Sequence, residues 1–237
     1  MNKTIIIIPA RMASRRFPGK PLIKIKNKTM LEHVRDRAIE SGIGEVLIAC
    51  CDNKVKNFLE EKKINYVMTK KSLQSGTDRV NSAFNSLKYK REYDFIINLQ
   101  GDVPFINHKH IIKLKRIIKD EPMKIATLVS ELKVKDQINN PNIVKAVISE
   151  YKRNYFKALY FSRSAIPFNS EKYYEHVGVY AYTRKSLEKF VKLKKSFLEK
   201  QEKLEQLRAL ENNMEIVIGK IRKAPISIDT PEDLKLL

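Results

Sequence analysis

The sequence predicts an α/β domain with a mostly parallel central sheet flanked by helices and a β-rich insertion. Three observations predict it. Short apolar runs alternate with amphipathic helical stretches as far as Val129, and this is the pattern of parallel strands joined by right-handed crossovers. After Ser130 the alternation gives way to strand-like runs with no helix between them. A basic loop and two carboxylates, Asp102 and Asp229, each follow an apolar run, where open α/β sheets bind ligands.

Taken in order, Thr4 to Ile8 reads as the first strand. The loop from Pro9 to Lys20 follows it and carries Arg11, Arg15, Arg16 and Lys20. Arginine forks, a lysine point charge and turn N–H groups suit phosphate. Neither the GxxxxGK[ST] nor the GxGxxG pattern is present. Met30 to Ser41 reads as a helix with Leu31, Val34, Ala38 and Ile39 on one side and Gly42 as its stop. A strand from Glu45 to Ala49, a helix from Asn53 to Lys63 and a short strand from Asn65 to Met68 come next. The loop from Thr69 to Gly76 leads into a helix beginning near Thr77, whose hydroxyl is expected to cap it, with Asp78 near the positive terminus.

The apolar run from Phe95 to Leu99 has the character of a buried strand and ends on Gln100, Gly101 and Asp102. Glycine there allows a sharp turn or a close approach, and an aspartate there can take Mg²⁺, which uses one or two carboxylates and leaves its other positions to water and phosphate. A helix from His108 to Lys119 and a strand from Ile125 to Val129 complete the alternating part, with His108 and His110 read as surface residues. Ile143 to Ile148, Tyr155 to Phe161 and Val177 to Tyr182 form the strand-only stretch. Helices from Lys185 to Leu193 and from Glu199 to Asn212 precede a strand from Glu215 to Ile218. Ile226 to Ile228 reads as a strand end, then Asp229, then a helix with Thr230 as cap and Pro231 in its first position. No internal repeat or low-complexity linker divides the chain, so the expectation is one domain over residues 1–237 with a β-rich subdomain at about 131–183.

The formal net charge is +20 at pH 7. The lysines are scattered at helical spacing as solvated faces, with no zinc-finger, helix-turn-helix or RNP pattern beside them, so specific nucleic-acid binding is not expected. No run approaches the roughly 18 apolar residues of a membrane span, and Ile5 to Ile8 is too short for a signal-peptide core. The expected location is cytoplasmic, and Cys50 and Cys51 read as reduced thiols rather than a strained vicinal disulfide.

Seven segments in order, IIPARMASRRFPGKPL, QSGTDR, QGDVP, LYFSR, HVGVYAY, LEKQEKLEQLRALE and DTPEDL, resemble those of the 3-deoxy-D-manno-octulosonate cytidylyltransferases, and they span nearly the whole chain. The resemblance implies a Rossmann-like nucleotidyltransferase fold and transfer of CMP from CTP to the anomeric hydroxyl of 3-deoxy-D-manno-octulosonate (Kdo), with release of pyrophosphate. It implies that Arg11, Lys20, Asp102 and Asp229 carry the reaction. It places Ala10, Arg11, Ser14, Arg15, Lys20, Gln74, Ser75 and Gly76 on the nucleotide. Arg79, Gln100, His176, Tyr180, Glu205 and Gln206 would surround the sugar acid, while Asp102 and Asp229 would hold Mg²⁺. It further implies a cytoplasmic homodimer feeding lipopolysaccharide synthesis, with the β-rich insertion as the dimer surface. Two positions depart from the family pattern: Val103 stands where a glutamate is usual, and Leu73 where a histidine is common. They leave open a modified ulosonic or nonulosonic acid, such as 8-amino-Kdo, as the acceptor.

Overall fold

The computed structural model describes residues 3–14, 16–121, 124–152 and 154–236. They pack as two compact units, Met1–Ile112 with Pro225–Leu237, and Lys113–Ala224.

In the first unit, β1 (Lys3–Ala10) leads through a 3-10 turn (Lys20–Leu22) to the small hairpin β2 (Lys24–Ile25) and β3 (Lys28–Thr29). Then come α1 (Met30–Glu40), β4 (Glu45–Cys50), α2 (Asn53–Glu61), β5 (Tyr66–Met68), α3 (Gly76–Ser86) and β6 (Tyr93–Asn98). The strands lie parallel in the order β5-β4-β1-β6, with Ile5 beside Glu45 on one side and Ile96 on the other. Ile5 to Ile8 are fully buried, as a strand covered on both faces requires, which is why β1 reads as an unbroken apolar run. Helix α1 buries Met30, Leu31, Val34 and Ala38, whereas Ile39, expected on the same stripe, is exposed. Its start is set by a capping box, in which Thr29 Oγ1 accepts from the Glu32 N–H and Glu32 accepts from the Thr29 N–H. After the second unit the chain returns as a 3-10 helix (Pro231–Leu236), and Ile228 completes a buried cluster with Phe17, Ile25 and Met30.

In sequence, α4 (His108–Asp120) runs from the first unit into the second. There follow β7 (Ile125–Leu132), α5 (Lys135–Ile138), β8 (Lys145–Lys152), β9 (Tyr155–Ser162), β10 (Tyr173–Thr183), α6 (Arg184–Lys192), α7 (Phe197–Glu202), α8 (Leu207–Glu211) and β11 (Ile216–Ile221). The strand order is β10-β7-β11-β9-β8, with only β7–β11 parallel, and β8 also meets β10 at Lys145 and Glu175. The strand-rich stretch 131–183 falls within this unit.

Three local readings need correction. The single helix expected from Glu199 to Asn212 is two helices, α7 and α8, broken at Lys203 in the left-handed region (φ 55°). The break allows Leu204 and Gln206 to be buried and brings Arg208 onto Glu199, so tertiary contacts override helix propensity. Helix α3 is capped by Ser75, whose Oγ accepts from the Asp78 N–H at 3.0 Å. Thr77 is buried instead and accepts from Asn98 Nδ2 at 3.2 Å. Ile226 to Ile228 is not a strand; Ile228 donates its N–H to the Asp102 carbonyl at 2.9 Å. The hairpin β2–β3 and helix α5 have no counterpart in the sequence reading, being too short to show periodicity.

Candidate active site

A cavity of about 240 Å³ lies in the first unit, at the carboxyl ends of β1 and β6. Ala10, Arg11, Ser14, Arg16 and Lys20 line it from the basic loop, Ser75, Gly76 and Arg79 from the start of α3, and Gln100, Gly101 and Asp102 from the turn after β6. Asp229 closes the wall. Gln74 is exposed and not part of the wall, and Arg15 lies outside the described residues.

The basic loop is shaped by main-chain bonds centred on Met12. The Met12 carbonyl accepts from the N–H groups of Ser14 and Gly19, at 2.9 and 3.0 Å. Its N–H donates to Asp52 Oδ2 at 2.8 Å, which ties the loop to the end of β4. Gly19 sits at φ 77°, where a side chain would be strained, and this turn delivers Lys20 into the cavity. Phe17 is buried in the cluster with Ile25, Met30 and Ile228 and anchors the far side of the loop. Sequence reasoning missed Asp52, because its partner is a backbone group forty positions away.

The amino end of α3, with Ser75 and Gly76, faces the cavity, so its N–H groups and dipole favour an anion. Arg79 is buried, and its NH1 donates to Thr69 Oγ1 and, at 3.4 Å, to the Lys70 carbonyl. Gln100 is steadied by donating to Asn98 Oδ1 at 3.0 Å. A Cβ at Gly101 would stand 3.0 Å from the Pro9 carbonyl, so glycine permits the approach of the β6 turn to β1.

Lys20 Nζ lies 3.2 Å from Asp102 Oδ2 and 3.3 Å from Asp229 Oδ1, and it donates to the Ile228 carbonyl at 2.9 Å. Arg16 NH2 donates to Asp229 Oδ1 at 3.0 Å. Two carboxylates converging on one cation suit a divalent ion whose other positions go to water and phosphate. Among the described residues no cluster of three or more His, Cys, Asp or Glu offers a fuller set of ligands. The thiols of Cys50 and Cys51 are not in a disulfide, and burial raises both pKa values, that of Cys50 to about 11, which favours the neutral thiol over the reactive thiolate.

The remaining expected sugar residues form a separate group within the second unit. His176, on β10, is buried with its ring 4.8 Å from Phe161 and 5.5 Å from Tyr180. The Thr127 hydroxyl reaches His176 Nε2 at 3.0 Å and the carbonyls of Val177 and Val179 at 3.1 and 2.8 Å. Its single proton goes to a carbonyl, so His176 Nε2–H must donate to it. His176 Nδ1 is then the acceptor facing Gln206 Nε2 at 3.5 Å. Burial without an acidic partner lowers the His176 pKa to about 3, and burial pushes the Tyr180 phenol well above its usual value. Glu205 lies 3.6 Å from Arg208 NH2, and Arg208 is clasped by both oxygens of Glu199.

Among the described residues no helix is long and apolar enough to cross a membrane. A family model described as Cytidylyltransferase matches residues 5–216. The 3-deoxy-manno-octulosonate cytidylyltransferase of Bartonella bacilliformis is 42% identical over 233 residues, covering 98% of this chain and 96% of that protein. Its counterpart from Mesorhizobium japonicum is 43% identical over 232 residues, with 98% and 96% covered. A solved structure of CMP:2-keto-3-deoxy-manno-octonic acid synthetase complexed with CTP is similar with a TM-score of 0.89 at 35% identity, covering 99% of this chain and 96% of that one. At 14% identity, 4-diphosphocytidyl-2C-methyl-D-erythritol synthase from Anaerococcus prevotii has a TM-score of 0.64 over 99% of this chain and 96% of that one, a likeness of fold alone. With a basic loop and two carboxylates around one cavity and these relatives along its whole length, the chain belongs to the cytidylyltransferase family, in its 3-deoxy-manno-octulosonate cytidylyltransferase branch.

Proposed function

We propose that this protein transfers CMP from CTP to the anomeric hydroxyl of Kdo, in the cytoplasm and as a homodimer, for lipopolysaccharide synthesis. The observation that carries the reading is the single cavity in which Arg11, Lys20, Asp102 and Asp229 meet, in a chain of this family. The anomeric oxygen attacks the α-phosphorus and loses its proton, and pyrophosphate departs with the electron pair of the broken P–O bond. Such transfer needs alignment and neutralisation of charge more than covalent help from the protein.

Arg11, Ser14, Lys20 and the N–H groups at Ser75 and Gly76 hold the triphosphate, with Ala10 and Gln74 beside the nucleotide and Arg15 assisting. Arg79 and Gln100 meet the sugar acid from the cavity wall, the guanidinium pairing with its carboxylate. His176, Tyr180, Glu205 and Gln206 form a group in the second unit whose chemistry suits sugar hydroxyls. With His176 held neutral, its site reads hydroxyls without adding charge. Asp102 and Asp229 would hold Mg²⁺, which when bound supplies positive charge at the phosphoryl oxygens.

The test is incubation of the purified protein with CTP, Mg²⁺ and Kdo, following pyrophosphate release and product mass. Parallel reactions contain 8-amino-Kdo, a nonulosonic acid or no sugar. Formation of CMP-Kdo that requires both Kdo and Mg²⁺ is expected. Turnover only with another sugar acid would reassign the acceptor, and none with any of them would overturn the reading.

A further inference from the structure

The ammonium of Lys20 sits among three oxygens, those of Asp102, Asp229 and the Ile228 carbonyl, at 2.9–3.3 Å. This is a compact, hard cation on an all-oxygen set, the kind of charge and donor that a magnesium-sized ion also selects. The Lys20 side chain is 14% exposed, whereas Arg16, the other cation on Asp229, is 55% exposed and correspondingly screened. The root of Lys20 is fixed by the Gly19 turn and the buried Phe17, so any displacement of the ammonium falls to its flexible four-carbon stem.

Two cations cannot occupy the same faces of the same two carboxylates. We propose that Lys20 is an exchangeable internal counter-ion, occupying the carboxylate pair Asp102 and Asp229 in the free protein and giving it up when a divalent ion and a triphosphate arrive together. The proposal rests on the reading that Asp102 and Asp229 hold the ion. Lys20 then has two partners in succession, carboxylates at rest and phosphate in the complex. Divalent ion alone meets a site already neutralised, so it binds weakly. Ion that comes with CTP brings the anion that draws the ammonium away. Nucleotide and metal therefore bind as a pair, and the carboxylates never face each other uncompensated.

The experiment is calorimetric titration of nucleotide-free protein with Mn²⁺ as the only added ion, for the wild type, Lys20→Met, Lys20→Gln and Asp102→Asn. Lys20→Met and Lys20→Gln should tighten Mn²⁺ binding about tenfold, a common size of coupling between two ligands. Asp102→Asn should weaken it below detection. The melting temperature gives an independent readout. Without metal, Lys20→Met should melt below wild type because two carboxylates lose their cation, and Mn²⁺ should raise its melting temperature more than it raises that of wild type. Loss of binding in Asp102→Asn with unchanged Mn²⁺ affinity in both lysine variants would overturn the exchange and leave the metal reading standing. Unchanged binding in Asp102→Asn would overturn both.

Discussion

Asp52 accepts the main-chain N–H of Met12 at 2.8 Å, so a carboxylate at the end of β4 fixes the loop that carries Arg11, Ser14 and Lys20. The same oxygen takes the Cys51 thiol at 3.3 Å. Asp52→Ala frees the Met12 amide, and with it the loop. The expected result is a fall in kcat/KM for CTP of roughly tenfold or more, seen mainly in KM, since a hydrogen bond to a charged group is worth about 1.5–3 kcal/mol. Asp52→Asn keeps an acceptor and removes a negative charge from the side of a triphosphate site, so it should recover most of the loss. Equal damage from Ala and Asn would show that the loop does not depend on this bond.

Arg208 and Glu199 form a two-pronged pair at 2.6 and 2.8 Å, with side chains only 4% and 9% exposed. Arg208→Met leaves an unpaired buried carboxylate and should cost about 3–5 kcal/mol of stability, while Glu199→Gln/Arg208→Met should be milder than the sum of its parts. Urea unfolding of the four proteins measures this, and additive losses would exclude a coupled pair.

The buried His176 makes stability depend on pH. Its folded pKa of about 3 lies below the ordinary 6.5, so between these values the unfolded chain binds the extra proton. The contribution is therefore complete above pH 6.5 and is lost as pH falls toward 3, at up to about 1.4 kcal/mol per pH unit. Wild type should lose melting temperature more steeply than His176→Gln from pH 7 to pH 4.5. Parallel curves would mean that the ring takes up its proton in the fold as readily as in the unfolded chain.

Asp102 lies on the cavity wall at the turn after β6. Asp102→Asn should lower turnover about a hundredfold or more, the scale seen when one electrostatic contact to a transition state is removed. The variant should keep its far-ultraviolet circular dichroism, because the side chain is partly exposed rather than packed in the core.

The strands of the first unit were legible because they are buried on both faces, so Ile5 to Ile8 and Phe95 to Asn98 stand out as β-rich runs between polar loops. Helix α1 showed in the spacing of Leu31, Val34 and Ala38. The meeting of Arg11 and Asp102 was legible because the basic loop and the Gly101 turn each follow a buried strand, and such ends meet along one edge of a parallel sheet, whereas Asp229 reaches the same cavity from a segment that is not a strand. The break at Lys203 was not, since a left-handed lysine carries none of glycine's signal and its cause lies in side chains buried elsewhere. Nor was the hold of Lys20 on both aspartates, because spacing along a chain says nothing about which charges neutralise one another before a ligand arrives.

The carboxylate pair is also a statement about order of synthesis. Asp102 is laid down just after β6, but Ile228, which packs beside Phe17 and bonds to the Asp102 carbonyl, and Asp229 emerge only after residues 103–227. A nascent chain that has released its first strands carries the basic loop and one acid, with Lys20 still missing two of its three oxygens. Lys20 thus gains its full set of oxygens only once Ile228 and Asp229 have been made, and a chain stalled before Ile228 lacks that wall of the cavity.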